Sequence, residues 1–167
     1  MPGARWAERR YRAPEHLLAR FHGTHPEIDS KQLRLVSAGL VQWILIERRW
    51  PHRHLMPSLA VLEFAEVLRA DAAAWADCVR TLQVAHWDTP PYPPTVSERL
   101  LATVWHAQEL EFTPYLPVLF DVDRRCRIRG GHWYQTTLPS NHDHICPHDV
   151  LCIHWEGPYC PPMMGMP

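Results

Sequence analysis

Apolar residues recur at helical spacing through most of the chain, and this periodicity ends near Tyr134. In the most periodic stretch, residues 58–85, apolar side chains follow one another at intervals of three, four or seven residues. Residues at these intervals share one face of an α-helix, and that face can be buried against a neighbour. No internal repeat is visible in the sequence. The pattern therefore predicts an all-α domain.

The same spacing predicts further helices over about residues 14–22, 29–49, 95–112 and 116–125. Asp29 or Ser30 is suited to cap the second helix, and Ser58 the third. The second helix is apolar around much of its circumference, so we expect it to be the central one. Four prolines in residues 88–94 predict a rigid, extended connector. The predicted fold is a small all-α bundle of four to five helices.

The predicted organisation has three parts. Residues 1–13 form a basic N-terminal arm, residues 14–134 the helical domain, and residues 135–167 a tail rich in His, Cys and Pro. The tail shows no alternation of apolar residues typical of strands, so we expect it to be irregular.

Length, composition and charge limit the class of protein. A chain of 167 residues with 46% hydrophobic residues can bury the core of one domain. The 17 basic and 18 acidic residues nearly cancel, so nucleic acid is an unfavoured partner. The Arg-rich start carries no apolar secretion signal, and no apolar run is long enough to cross a bilayer. We therefore expect a cytoplasmic protein without a membrane span.

Several short motifs occur in a characteristic order along the helical part. They are Met56-Pro57-Ser58, then Val61, Trp75 and Cys78, then Thr89-Pro90, and finally Leu116-Pro117-Val118-Leu119-Phe120-Asp121-Val122-Asp123 with Gly131 and Tyr134. Over roughly residues 14–134 the chain resembles the bacterial glycine-rich-domain-containing proteins, which are similar to the plant glycine-rich-domain proteins. The resemblance implies a helical domain followed by a low-complexity tail, and it implies no reaction.

The chain departs from this family pattern in two places. The Trp-His pair that relatives carry after the Met-Pro-Ser turn is replaced by Ala65 and Glu66, so no role of that histidine carries over. The tail also has few glycines and keeps Cys146, Cys152 and Cys160.

The tail carries the set of side chains best suited to bind a metal ion. Its candidate ligands are His142, His144, Cys146, His148, Cys152, His154 and Cys160. The first four occupy alternate positions, so in an extended segment they would face one ion. Imidazole and thiolate suit Zn(II), and the thioethers of Met163, Met164 and Met166 would favour Cu(I). Adventitious binding by a flexible tail and the absence of any metal role remain alternatives.

Two arrangements in the helical part could support catalysis. Cys126 lies between Arg125 and Arg127, whose charge would lower the thiol pKa, and His132 is near in sequence as a base. His106 and Glu109 have the i, i+3 spacing of metal ligands in helical bundles, but a surface hydrogen bond or an ordinary helix pair is the favoured interpretation because a second such pair on another helix is missing. Cys78 lies on an apolar face and is interpreted as a core residue.

The N-terminal arm interleaves basic and aromatic residues that could bind an acidic partner or nucleic acid. They are Arg5, Trp6, Arg9, Arg10, Tyr11 and Arg12, interrupted by Glu8. A solvated, frayed terminus is the alternative.

The sequence as a whole favours a non-enzymatic helical module with a tail that binds zinc or copper. The alternatives are a protein-interaction or scaffold subunit, with contacts from the Trp- and Pro-rich segments, and a cysteine- or metal-dependent enzyme.

Overall fold

The computed structural model describes residues 6–51, 54–84, 98–112, 115–137 and 150–154. After a short helical turn at residues 6–8, it contains six longer helices. They are α1 (Glu15–Thr24), α2 (Ser30–Arg49), α3 (Leu59–Arg69), α4 (Ala72–Leu82), α5 (Glu98–Glu111) and α6 (Val118–Cys126). The predicted helical fold is confirmed, with six long helices in the described ranges in place of four or five.

Helix α2 is the centre of the fold, as its apolar circumference predicts. Twelve consecutive residues, 35–46, are buried, and α2 packs against α3, α5 and α6. Its first turn is held by Asp29, whose carboxylate accepts hydrogen bonds from the backbone N–H groups of Lys31 and Gln32. Gln32 in turn accepts one from the Asp29 N–H. This capping box fixes where the central helix begins.

A glycine in the middle of α2 lets two other helices approach it closely. A Cβ atom at Gly39 would lie 2.8 Å from Val61 Cγ2 and 3.1 Å from Val122 Cγ2. Val61 belongs to α3 and Val122 to α6, so the missing side chain sets the spacing of three helices.

The single helix predicted over residues 58–85 is wrong, because the chain breaks at Ala70 and Asp71. Asp71 takes an extended conformation, and its carboxylate accepts a hydrogen bond from the backbone N–H of Ala74 at 2.9 Å, starting α4. The apolar spacing continues across the break because both helices bury side chains in one core, such as Phe64 and Cys78. Periodicity alone does not show a capped break of this kind.

Two short strands follow the helices. β1 (Trp133–Thr137) pairs in parallel with β2 (Val150–His154), in a register that joins Trp133 to Val150 and Thr137 to His154. Strand β2, which lies in the segment predicted to be irregular, is thus paired with β1 at the end of the helical domain. The helices within the described ranges are too short or too polar to span a membrane.

Candidate functional site

Two of the seven predicted metal ligands lie in β2. Cys152 pairs in register with Gln135, and His154 with Thr137. The other five, which are His142, His144, Cys146, His148 and Cys160, lie outside the described residues. Among the residues that the structure describes, no group of three or more His, Cys, Asp or Glu side chains is placed to hold a metal ion.

The start of β1 is fastened to the helical domain through a buried carboxylate, which we call the Asp123 anchor. Asp123 is 1% exposed, and its carboxylate accepts hydrogen bonds from four described groups. Oδ1 receives them from the Ser58 hydroxyl at 2.7 Å and the Ala60 N–H at 3.0 Å, and Oδ2 from the N–H groups of Leu59 at 2.8 Å and His132 at 3.2 Å. The anchor therefore joins α6 to the start of α3 and to the chain entering β1.

Two neighbours complete the anchor. The Tyr134 hydroxyl donates to the Pro57 carbonyl at 3.0 Å, and its ring packs edge-on against Phe120 with centroids 5.0 Å apart. A Cβ atom at Gly131 would lie 2.7 Å from Asp123 Oδ2, so only glycine fits there without a shift. The anchor thus brings together Pro57, Ser58, Asp123, Gly131 and Tyr134.

A second polar cluster, the histidine centre, is part-buried and comprises Glu47, His54 and His106. The His54 side chain is fully buried, and its Nδ1 lies 2.9 Å from Glu47 Oε1. Its Nε2 lies 2.6 Å from His106 Nδ1. These residues come from α2, from the connector of residues 54–58, and from α5. The cluster therefore forms a continuous chain of hydrogen bonds across three segments.

Aromatic rings enclose the histidine centre. The Trp50 ring stacks on His106 with centroids 3.8 Å apart and planes at 11°, while Trp43 meets His54 edge-on at 6.2 Å. The sequence alone suggested a link between His106 and Glu109. Glu109 instead forms an ion pair with Arg49 at 2.9 Å.

The surroundings of Cys126 do not favour a reactive thiol. Burial, reinforced by the charge of Asp123, raises the pKa of Cys126 to about 12, and this outweighs the lowering effect of Arg125. Arg125 is instead bound to the buried carboxylate of Asp121. A thiol with this pKa is almost wholly protonated near neutral pH and is a poor nucleophile. This environment gives no support to the alternative in which Cys126 and His132 form a catalytic dyad.

Cys78 is fully buried, as predicted for a core residue. Desolvation raises the pKa of its thiol to about 12 as well. The neighbouring Tyr11 is also buried, and desolvation raises the pKa of its hydroxyl. Tyr11 is therefore part of the core, so it is neither available to stack on a partner nor part of a frayed terminus.

The rest of the described arm borders an open cleft. Its volume is about 890 Å³, and it lies between the arm, α1 and α2. Arg9, Arg12 and Arg34 line it together with Glu8 and Glu15, so opposite charges alternate around it. Arg12 already lies 3.7 Å from Glu15. This mixture of charges gives the cleft no marked preference for an acidic ligand.

No protein-family model matches the chain, and comparison with curated proteins and with solved structures finds no match either.

Proposed function

We propose that the protein is a non-enzymatic helical module whose C-terminal segment binds one Zn(II) or Cu(I) ion. The ligands come from His142, His144, Cys146, His148, Cys152, His154 and Cys160. Four of them complete a tetrahedral zinc site, and thiolate with thioether ligands suits Cu(I). The observation that carries the proposal is the pairing of β2 with β1, because it connects two of these ligands to the folded domain.

The Asp123 anchor supports this arrangement. The chain enters β1 from Gly131 and His132, directly after a segment held by the buried carboxylate and by Tyr134. Ligands on a strand paired to such a fixed segment lose less conformational entropy on binding than ligands on a free chain. A site of this kind retains its ion through dialysis, whereas adventitious binding does not.

Elemental analysis of the purified, untagged protein tests the proposal. We expect close to one zinc or copper ion per chain after dialysis, because four soft ligands hold the ion tightly. Joint replacement of His144→Gln, Cys146→Ser and Cys152→Ser should reduce the content to near zero.

His22→Gln is the matched control, since His22 is an exposed histidine on α1 and should leave the metal content unchanged. Metal-free native protein, or a triple variant that keeps its ion, would rule out the proposed site.

A protein-interaction subunit is the second candidate function. Phe112 and Tyr115 are 83% and 75% exposed, which is unusual for large aromatic side chains and typical of contact surfaces. If this function holds, Phe112→Ser weakens association with a partner in cross-linking experiments, and the triple metal-ligand variant does not.

A further inference from the structure

The geometry of the histidine centre limits how many protons it can hold. An ionised carboxylate oxygen only accepts hydrogen bonds, so the contact with Glu47 requires a hydrogen on His54 Nδ1. Only one hydrogen fits between His54 Nε2 and His106 Nδ1, which are 2.6 Å apart. Either ring can donate it. The pair of rings therefore carries either no positive charge or one, and two charged rings would place two N–H groups against each other.

The charged groups recorded around the histidine centre also bear on how much positive charge the two rings can hold. From α2 it meets the carboxylate of Glu47, and Arg49 is engaged with Glu109 of α5. Also from α5, Arg99 donates to the His54 carbonyl at 3.0 Å. The Glu47 carboxylate contacts the His54 ring directly and can balance one positive charge.

The contact between the rings is also a contact between segments. His54 belongs to the connector of residues 54–58, and His106 belongs to α5. Thr103 of α5 binds the same connector, accepting a hydrogen bond from the Leu55 N–H at 3.2 Å. The Thr103 and Arg99 bonds to the connector do not depend on the protonation of an imidazole, whereas the bond between the rings does.

We propose that Glu47, His54 and His106 form a pH-sensitive clamp that holds α5 against α2 and the connector, and that opens when both imidazoles are protonated. With at most one positive charge, the chain of hydrogen bonds is intact. A second positive charge removes the only acceptor between the rings and separates them. Opening exposes the buried face of α5, including Leu100, Val104 and Ala107.

The difference in bound protons between the closed and open states determines how steeply the population of the open state changes with pH. In the open state the rings no longer share one hydrogen, so each imidazole is free to hold its own proton, as an imidazole in water does below its pKa near 6.5. The open state then binds one more proton than the closed state. By linkage, its population rises about tenfold for each unit by which the pH falls.

Amide hydrogen exchange between pH 7 and pH 5, corrected for the intrinsic dependence of exchange on pH, measures this response. We expect the opening constants of buried α5 amides to rise about tenfold per pH unit below about pH 6. Those of α2 residues 35–46 should stay constant. A flat response in α5 of the native protein would overturn the proposal.

His106→Asn is the decisive variant. The asparagine Oδ1 can accept the hydrogen bond from His54 Nε2 in place of the ring nitrogen, but it takes up no proton in this range. The pH response of α5 should therefore disappear, while His22→Gln should retain it. An unchanged response in His106→Asn would assign it to other groups and overturn the proposal.

If His106→Asn does not fold, ¹⁵N chemical shifts of the two rings in the native protein provide the test. Loss of α5 protection together with the second protonation supports the clamp. Two charged rings beside a fully protected α5 contradict it.

Discussion

The Asp123 anchor and the histidine centre are both polar clusters that join distant segments, yet the first is buried and the second part-buried, and they are built from different donors. Three of the four donors to Asp123 are backbone N–H groups, and the fourth is a serine hydroxyl. None of these gains or loses a proton under ordinary conditions. The histidine centre uses ring nitrogens, whose role as donor or acceptor changes with protonation. The hydrogen bonds from backbone N–H groups to a carboxylate do not depend on protonation of the donors, so we call the anchor a permanent joint. The bond between two imidazoles does depend on their protonation.

Among substitutions at the Asp123 anchor, we expect the largest effect from Asp123→Asn. This change preserves the shape of the side chain but removes two acceptor sites, because an NH2 group replaces one carboxylate oxygen. Its amide NH2 would face buried N–H donors and leave them without partners. We expect a loss of about 3–5 kcal/mol in the free energy of unfolding, measured by urea denaturation. The loss should be equal at pH 7 and pH 5.5, because the donors do not titrate.

Asp77→Asn is the control for this change. Asp77 is an exposed residue of α4 that pairs with Arg80, and exposed pairs contribute little. A cost at Asp123 no larger than that at Asp77 would contradict the description of the anchor as a structural joint.

Two glycine-to-alanine substitutions, one at the anchor and one on α1, test how tightly the anchor is packed. Gly131→Ala would place a methyl group 2.7–2.8 Å from Asp123 atoms and should cost about 2 kcal/mol. Gly23→Ala on α1 meets nothing within 4 Å and should gain roughly 0.5 kcal/mol through helix propensity. The two changes are chemically identical, so thermal unfolding should show opposite signs. Equal signs would mean that Gly131 is not confined by the anchor.

The smallest expected effect belongs to Tyr134→Phe. It removes the hydroxyl that donates to the Pro57 carbonyl and should cost about 1 kcal/mol in chemical denaturation. Tyr115→Phe, which alters an exposed ring, serves as the matched control and should be nearly neutral. If both variants unfold like the native protein, Tyr134 contributes to the anchor only by packing.

Local signals allowed much of the helical domain to be predicted. Apolar spacing located the helices, and the side chains of Asp29 and Ser58 marked two of their starts, since a cap acts within three residues. The break at Ala70 and Asp71 was missed because an aspartate inside an apolar period looks the same on a continuous helix. The strand β2 was missed because its pairing with β1 is not a local property of either segment.

The two polar clusters could not be predicted from one sequence. His54 and His106 are 52 positions apart, and Ser58 and Asp123 are 65 apart. Their contact depends on how α5 and α6 pack on the rest of the domain. The signals that were present, a histidine before the Met-Pro-Ser turn and an aspartate in an apolar helix, gain meaning only after those helices are placed.

The burial of α2 has a consequence for synthesis of the chain on the ribosome. This helix is synthesised well before its partner α6, which begins only at Val118, about 70 residues after α2 ends. At about 5–20 residues per second, that interval lasts roughly 3–14 s. During it, a helix with twelve residues destined for the interior has no complete surface to cover it. The nascent chain is therefore most exposed to aggregation, and most in need of a chaperone, before α6 has been made.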